Sequence, residues 1–164
     1  MRAYIHREDI EAARCGVARS SRWPRIEKLH LTLQPKCACY GDKMDPHSAM
    51  QVHHIFPFHY CIALGRPDLE LDLRNLITLC ENEPGQPGEN HHLLVGHLDS
   101  FQSSNLDVVA AARTMFHGMS GKDIRASKQW QALVAGRLKR LQDMSEREKN
   151  EFAQLMNQRL PRRW

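Results

Sequence analysis

The chain has 164 residues, of which 41% are hydrophobic and 26% are charged, values typical of one globular domain with room for helical extensions. No apolar run approaches the roughly 18 residues of a transmembrane helix, and the charged N-terminus lacks the apolar core of a signal peptide, so we expect a cytoplasmic protein without a membrane partner. Its five cysteines are an odd number without framework spacing, which favours thiols or metal ligands over disulfides.

The net charge of +4 is distributed unevenly along the chain. Residues 1–36 hold eight Lys and Arg against four Asp and Glu, residues 37–121 hold four against ten, and residues 122–164 hold eleven against five. The two basic flanks, 1–36 and 122–164, suit the neutralisation of phosphates, whereas the acidic middle would repel DNA unless a cation offsets its charge. For either flank alone, a solvated helix face is an equally good interpretation.

Residues 1–36 form the first predicted unit, with two helices. In the first helix, apolar residues recur at helical spacing after Asp9, which is a suitable N-cap. In the second, Pro24 fits the first turn and Pro35 ends the helix. Trp23 stands among arginines, and we expect it to pack on the core. The apolar stripe of the second helix consists of Ile26, Leu29 and Leu33.

Residues 37–105 form the second predicted unit, a β-hairpin with a long connection that is followed by a helix. The pattern predicts a strand at 50–55, a loop at 56–74, a strand at 76–79, a loop at 83–88 and a helix at 91–98. Apolar and polar residues alternate through the first strand, and Pro and Gly mark the two loops. Asn90 is a good N-cap for the helix.

Residues 106–164 form a helical extension with three predicted helices. The first carries Val108, Val109, Ala112 and Met115 at helical spacing. The second has a clean amphipathic stripe, which also suits a protein partner helix and consists of Trp130, Leu133, Val134, Leu138 and Leu141. Ser145 and Glu148 make a capping box for the last helix.

Paired histidines and an asparagine are the most informative residues of the middle unit. His53 and His54 close the first predicted strand, Asn75 opens the second, and His91 and His92 open the helix. Imidazole is suited both to take a proton from water near pH 7 and to bind a transition metal. In a regular strand neighbouring side chains point to opposite faces, so the first pair shares one site only where the strand twists or ends. The residues favour a metal-dependent phosphodiesterase site.

This order of residues resembles the HNH, or ββα-metal, endonuclease family. The likeness is closest in three stretches, at 52–58, 69–80 and 90–98. It implies an α+β fold with a ββα-metal core, around which the N- and C-terminal helices pack. By position it implies that His53 and His92 are metal ligands and that His54 is the general base. Asn75 matches the family asparagine, which braces a loop and helps to orient the base.

The resemblance also implies one divalent metal ion, and the sequence does not distinguish Mg²⁺, Mn²⁺, Ni²⁺ and Zn²⁺. His97 is a further candidate ligand, but residues five apart lie about 140° apart on an ideal α-helix. It would join the ligand set if the helix ends or tightens near Gly96, and otherwise it would support another ligand. His91 is the alternative to His92.

A structural zinc is not expected from the sequence. Many HNH proteins hold one with two Cys-x-x-Cys pairs, and both pairs are broken in this chain, where Tyr40 replaces one cysteine and Cys80 remains alone in the second pair. Cys37, Cys39 and Cys80 could still gather a metal with the help of a histidine. Tetrahedral zinc sites normally need four clear ligands, however, and the sequence does not supply them.

The sequence therefore predicts a divalent-metal-dependent endonuclease that acts on DNA in a bacterial or phage-infected cell. His54 would take the proton from water, and the resemblance implies 5′-phosphate and 3′-hydroxyl ends. The alternative is an inactive, metal-stapled nucleic-acid-binding or adaptor module, which would have no use for the spare imidazole of His54. Contacts to the nucleic-acid backbone are predicted at five basic residues of the flanks: Arg22, Arg25, Arg137, Lys139 and Arg140.

Overall fold

The computed structural model describes residue 16 and residues 18–40, 48–82 and 89–159. In chain order these residues form α1 (Trp23–Leu33), β1 (Ser48–His54), α2 (Phe58–Ala63), β2 (Leu76–Asn82), a π-helix (His92–Gly96), α3 (Val108–Ala110), a second π-helix (Ala111–Met115), α4 (Gly121–Ala126), α5 (Lys128–Ala135) and α6 (Glu146–Arg159). Short 3₁₀ turns occupy Pro67–Glu70, Leu73–Asn75 and Leu141–Asp143. This mixture of helices with a two-stranded sheet agrees with the predicted α+β class.

Helix α1 begins and ends where its prolines predict. Pro24 lies in the first turn, where its missing N–H removes no helical hydrogen bond. Pro35 follows the last turn and cannot continue the helix. Trp23, the first residue of α1, is buried and packs against Val52 and Leu76 of the sheet. The prediction that Trp23 belongs to the core is therefore confirmed.

The sheet pairs β1 with β2 in antiparallel orientation. The register places His53 opposite Ile77 and His54 opposite Leu76. Residues that lie opposite each other share a face of the sheet, and successive residues alternate between faces. One face therefore carries His53 with Ile77, and the other carries His54 with Leu76. Nearly all of β2 is buried, as expected of a strand that is covered on both faces.

The main core joins the sheet to the first π-helix and to the helices of the C-terminal extension. Its buried residues come from both the middle and the last third of the chain, and they include Ile77, Leu79, Leu94, Val108, Phe116 and Ile124. The indole N–H of Trp130 in α5 donates to the Leu94 carbonyl at 2.8 Å. This hydrogen bond satisfies a buried donor and ties α5 to the π-helix.

A second apolar cluster holds α6 against the connection between β1 and β2. It is built from residues such as Phe56, Tyr60, Leu69, Phe152 and Met156. The predicted capping box is confirmed at the start of α6. The Ser145 N–H donates to the Glu148 carboxylate at 2.8 Å, and the Glu148 N–H donates to the Ser145 hydroxyl at 3.2 Å.

Several predicted elements differ from the structure. The stretch 56–74 is not one loop, because Phe58, Tyr60 and Cys61 bury their side chains by forming α2. The stripe from Trp130 to Leu141 is not one helix either. Helix α5 ends before Gly136, and the residues after it turn towards the second apolar cluster.

Helix α4 was not predicted, although its start has a local signal. The hydroxyl of Ser120 accepts the N–H of Asp123 at 3.2 Å, which is an N-cap. The predicted helix after Asp9 and the predicted loop at 83–88 lie outside the described residues. Across the described part of the chain, none of the helices combines the length and the apolar character that crossing a bilayer requires.

Candidate metal centre

His53 and His54 end β1 with their rings on opposite faces of the sheet. The ring of His53 faces the first π-helix, with its centroid 5.4 Å from that of His92 and 4.7 Å from that of His97. The ring of His54 faces α1, with its centroid 4.7 Å from that of Trp23. The two histidines therefore have different neighbours, but β1 ends at His54, and the end of a strand is where an adjacent pair can serve one site.

The helical turn after Asn90 is a π-helix, and this decides how His92 and His97 are arranged. The His97 N–H donates to the His92 carbonyl at 3.1 Å, which is a bond between residues five apart. The two Nε2 atoms lie only 3.2 Å apart. The prediction that this spacing separates the imidazoles by about 140° is wrong, because it assumed α-helical geometry. The helix ends at Gly96, which is one of the two conditions under which His97 was predicted to join the ligand set, and its turn is wider than an α-turn and not tighter.

Gly96 lets this turn approach the sheet closely. A Cβ atom at this position would lie 3.1 Å from Nδ1 and Cε1 of His53 and 3.1 Å from Cδ1 of Leu79. A larger residue would therefore require the His53 or Leu79 side chain to shift by a few tenths of an ångström. The turn ends at Leu98 and Asp99, which both take the positive φ values that are uncommon for residues other than glycine, at 50° and 67°.

Hydrogen bonds fix the tautomers of the two histidines of the π-helix. Nδ1 of His92 lies 3.3 Å from a carboxylate oxygen of Glu81, and Nδ1 of His97 lies 2.7 Å from the carbonyl oxygen of Ser103. Carboxylate and carbonyl oxygens accept hydrogen bonds, so both Nδ1 atoms donate. Each Nε2 atom therefore keeps its lone pair, and a backbone or carboxylate oxygen orients the ring, as in metal-binding histidines.

The spacing of the three rings suits one metal ion. One ligand atom from each of His53, His92 and His97 lies within 4.8 Å of the other two, and all three side chains are buried. Two lone pairs 3.2 Å apart repel each other unless a proton or a cation lies between them. Two imidazole nitrogens bound to one tetrahedral zinc at about 2.0–2.1 Å would be about 3.3 Å apart. The donor set therefore fits a divalent transition metal ion.

His54 lies in a buried pocket made of aromatic rings and backbone. The centroids of the Trp23 and Phe58 rings are 4.7 Å and 5.8 Å from that of His54. Nε2 of His54 lies 2.9 Å from the carbonyl oxygen of Glu70, so Nε2 donates and the basic lone pair is on Nδ1. The guanidinium of Arg19 lies 4.3 Å from the centroids of both flanking rings, which places a cation at the border of this pocket.

Asn75 joins the two ends of the connection between the strands. Its side-chain amide donates to the carbonyls of Phe56 at 3.1 Å and of Leu69 at 3.0 Å, and its oxygen accepts the Phe56 N–H at 2.8 Å. Leu69 directly precedes Glu70, whose carbonyl accepts from His54. Asn75 therefore fixes the backbone at Leu69, one residue before the Glu70 carbonyl that orients the His54 imidazole.

Three cysteines and a histidine form a second cluster, farther along the hairpin. Nδ1 of His91 lies 3.1 Å from the sulfur of Cys80 and 3.6 Å from the sulfur of Cys37. Hydrogen bonds from Cys39 and Cys80 lower the pKa of the Cys37 thiol, and the same bonds, together with burial, raise the pKa of the two donors. The alternative in which His91 replaces His92 is therefore not what the structure shows.

The five basic residues predicted to contact nucleic acid differ in their surroundings. Arg22 and Arg25 are exposed in and before the first turn of α1. Arg137 is exposed as well, and its guanidinium donates at 3.2 Å to a backbone carbonyl at the end of the first π-helix. Lys139 and Arg140 each form an ion pair with a carboxylate of the C-terminal region, at 2.7 Å in both cases. Of the five residues, Lys139 and Arg140 are therefore the least able to bind a phosphate group.

Sequence reasoning missed the groups that orient the histidines. Glu81 could have been found from the sequence. It lies an even number of residues along β2 from Ile77, which is opposite His53, so all three side chains are on the same face of the sheet. The carbonyl oxygens of Ser103 and Glu70 belong to the backbone and leave no mark in the sequence. Only the folded chain brings them to the imidazoles.

Comparisons of the chain with family models, curated proteins and solved structures found no significant match. Within the described residues, two groups of side chains could hold a metal ion. One consists of His53, His92 and His97, and the other contains Cys37, Cys39 and His91.

Proposed function

We propose that the chain is a divalent-metal-dependent endonuclease of the HNH type, with a ββα-metal core, and that it hydrolyses phosphodiester bonds of DNA. The observation that carries this proposal is the convergence of His53, His92 and His97 on a space that fits one ion. The position of His54, which is held by a loop that Asn75 braces, supports it further. The order of these residues along the chain is the order in the family that the sequence resembles.

His54 acts as the general base in this proposal. Its Nε2 donates to a backbone carbonyl, so the neutral ring offers Nδ1 to the proton of a water molecule. The Glu70 carbonyl that accepts from Nε2 also holds the ring in place while Nδ1 takes the proton.

His53, His92 and His97 would hold the metal ion. When bound, a divalent ion would supply charge stabilisation during phosphodiester hydrolysis. Glu81 and the carbonyl of Ser103 keep two of the rings in the tautomer that binds metal. Three protein donors leave a coordination position for substrate or water, which is typical of catalytic sites, whereas structural sites are usually closed by four.

Exposed cations of both flanks provide the affinity for DNA. Arg22 and Arg25 lie at the start of α1, whose first residue contacts His54. Arg137 lies beside the end of the π-helix that carries His92. Because the middle of the chain is acidic, the bound metal ion and these side chains together offset its repulsion of phosphate.

A structural role for the three-histidine site is the second candidate function, and burial favours it. His53, His92 and His97 are 0%, 5% and 3% exposed, as expected of a metal that staples backbone segments together. The chain would then be a nucleic-acid-binding or adaptor module without catalysis. The two candidates make opposite predictions about cleavage.

Plasmid cleavage by the full chain distinguishes them. Supercoiled DNA is incubated with Mg²⁺, Mn²⁺, Ni²⁺ or Zn²⁺, each with and without a chelator. We expect nicked and linear products with 5′-phosphate ends in the presence of at least one ion, and none after chelation. His117→Ala, which alters an exposed histidine outside both clusters, is the matched control and should cleave normally. A folded, metal-loaded chain that cleaves with none of the four ions would contradict the nuclease and favour the adaptor.

A further inference from the structure

We propose that a structural zinc ion is bound at the second cluster by four side chains: Cys37, Cys39, Cys80 and His91. The site lies apart from the three-histidine centre, and zinc binding there does not depend on nuclease activity. The sequence offered three cysteines at irregular spacing and no defined fourth ligand. The fold supplies the fourth ligand by placing His91 beside the sulfur atoms.

The distances between the donor atoms fit tetrahedral zinc. Nδ1 of His91 is 3.1 Å from the sulfur of Cys80 and 3.6 Å from that of Cys37. The ligand atoms of Cys37, Cys39 and His91 all lie within 4.8 Å of one another. With Zn–S bonds of about 2.3 Å and Zn–N bonds of about 2.0–2.1 Å, sulfur and nitrogen ligands of one tetrahedral ion lie about 3.6 Å apart. Cys80 joins this group through its contacts with His91 and Cys37.

The tautomer of His91 is set for metal binding. Its Nε2 lies 3.0 Å from the carbonyl oxygen of Met119, so Nε2 carries the proton and donates. The lone pair of Nδ1 therefore faces the sulfur atoms. A backbone oxygen that fixes the outer nitrogen of a histidine is the arrangement found around metal ligands. The ring of Tyr40 packs edge-on against His91, at a centroid distance of 4.7 Å, and covers the cluster.

Burial as ordinary core residues does not account for the cluster. Buried cysteines often serve as small apolar side chains, and Cys61 does so, with burial raising the pKa of its thiol to about 12. In the cluster, by contrast, the sulfurs of Cys37 and Cys80 lie against one imidazole nitrogen of His91. The sulfur of Cys39 is within 4.8 Å of the His91 ligand atom, and all four side chains are buried. Three sulfur donors and one imidazole are a ligand set that selects zinc over the harder divalent ions.

A zinc ion here would join three segments that are distant in sequence. The backbone of residues 37–39 already contacts β2, because the Ala38 N–H donates to the Thr78 carbonyl at 2.9 Å. The Gly118 N–H donates to the Cys39 carbonyl at 2.8 Å. The ion would bind the same segment to β2 and to His91 through side chains, and structural zinc contributes directly to folding free energy.

The zinc site also fixes the residue that precedes the three-histidine centre. His91 and His92 are neighbours, and the first π-helix begins at His92. Holding His91 therefore restrains the position from which the π-turn starts. This part of the inference concerns geometry and extends the proposed function, whereas zinc binding itself stands without it.

Metal analysis of the full chain tests the proposal. After purification and dialysis against a mild chelator, we expect about one zinc ion per chain. Cys80→Ser and His91→Ala should lose it, and His92→Ala should keep it. Cys61→Ser is the matched control, because Cys61 is a buried cysteine outside the cluster, and its thiol donates to the Phe56 carbonyl at 3.5 Å. Zinc at the unaltered level in Cys80→Ser would overturn the proposal.

Cobalt substitution of the unaltered chain gives a second measurement that does not depend on the folding of variants. Binding of Co²⁺ should produce thiolate-to-metal charge transfer and the strong visible bands of tetrahedral cobalt. A spectrum with nitrogen and oxygen ligands alone, or a thiol count that reveals a disulfide within the cluster, would contradict the site. If zinc binds as expected while no plasmid is cleaved, the nuclease proposal alone fails.

Discussion

The two clusters on either side of the His91–His92 peptide bond differ in the number and kind of their donors. The cysteine cluster brings three sulfurs and one nitrogen together, a set that would close a tetrahedral site. The other cluster brings together the nitrogens of His53, His92 and His97, a set that would leave one position open. Neighbouring histidines can therefore serve different purposes, because closed metal sites support a fold and open metal sites perform chemistry.

The same difference predicts unequal metal retention. Thiolate ligands hold zinc tightly, whereas three neutral imidazoles bind several divalent ions and exchange them more readily. A mild chelator should therefore empty the three-histidine site first.

The largest expected effect comes from His54, which belongs to neither cluster. His54→Ala should lower the rate of DNA cleavage about 10²- to 10⁴-fold, because a general base acts in the transition state. Single-turnover rates at saturating metal measure the loss, and metal analysis should find zinc content unchanged. Full activity of a folded His54→Ala chain would remove this residue from the mechanism.

The next largest effect is expected for substitution of His97. It should lower the affinity for the metal ion and not the rate of DNA cleavage at saturating metal. Because the π-turn places its Nε2 3.2 Å from that of His92, His97→Ala should weaken metal binding as strongly as His92→Ala. Glu81→Ala should be milder, at about 10- to 100-fold, since the carboxylate only orients His92. Titration calorimetry on zinc-loaded chains measures all three variants. A smaller loss for His97→Ala than for Glu81→Ala would mean that His97 is not a ligand.

Local patterns were sufficient to predict the elements whose causes are local. Pro24 and Pro35 set the limits of α1, the alternation of side chains gave β1, and Ser145 with Glu148 fixed the start of α6. These signals act over a few residues, so they do not depend on the rest of the fold.

The parts that the sequence did not reveal depend on contacts between distant residues. The π-turn forms where Gly96 packs against His53, and periodicity alone cannot distinguish it from an α-turn. The cysteine cluster joins residues 37–39 to Cys80 and His91, which match no standard spacing of ligands. Sequence reasoning identified the histidines by residue type and order, and it failed where backbone geometry decided their partners.

The basic flanks should show a smaller, graded effect on DNA affinity. Arg137→Gln should weaken binding and reduce the slope of log affinity against log salt by about one, because the side chain is exposed beside the π-helix. Arg140→Gln is the matched control, and its effect should be weaker because Asp143 already pairs with it at 2.7 Å. Charge reversal of Arg22 and Arg25 should act like Arg137→Gln, for all DNA sequences alike. Equal slopes for the Arg137 and Arg140 variants would contradict this ranking.

The smallest expected effect concerns His30, which is buried in α1 on the side of the sheet that carries His54. Burial first, and then the charge of His54, lower the pKa of His30. The unfolded chain, in which this group has a pKa of about 6.5, therefore binds a proton more readily than the native chain. The free energy of unfolding should consequently fall as the pH drops below about 6.5, by at most about 1.4 kcal/mol per pH unit from this group, and should be unaffected above that range.

His30→Gln removes this group and should flatten the loss of stability between about pH 7 and pH 5.5. Urea unfolding of both chains at each pH measures the difference. Acid also weakens both metal clusters, since their ligands must be deprotonated to bind. The contribution of His30 requires no metal, so the difference between the two chains should persist after chelation. Parallel pH curves in the metal-free state would mean that His30 titrates as it does in the unfolded chain.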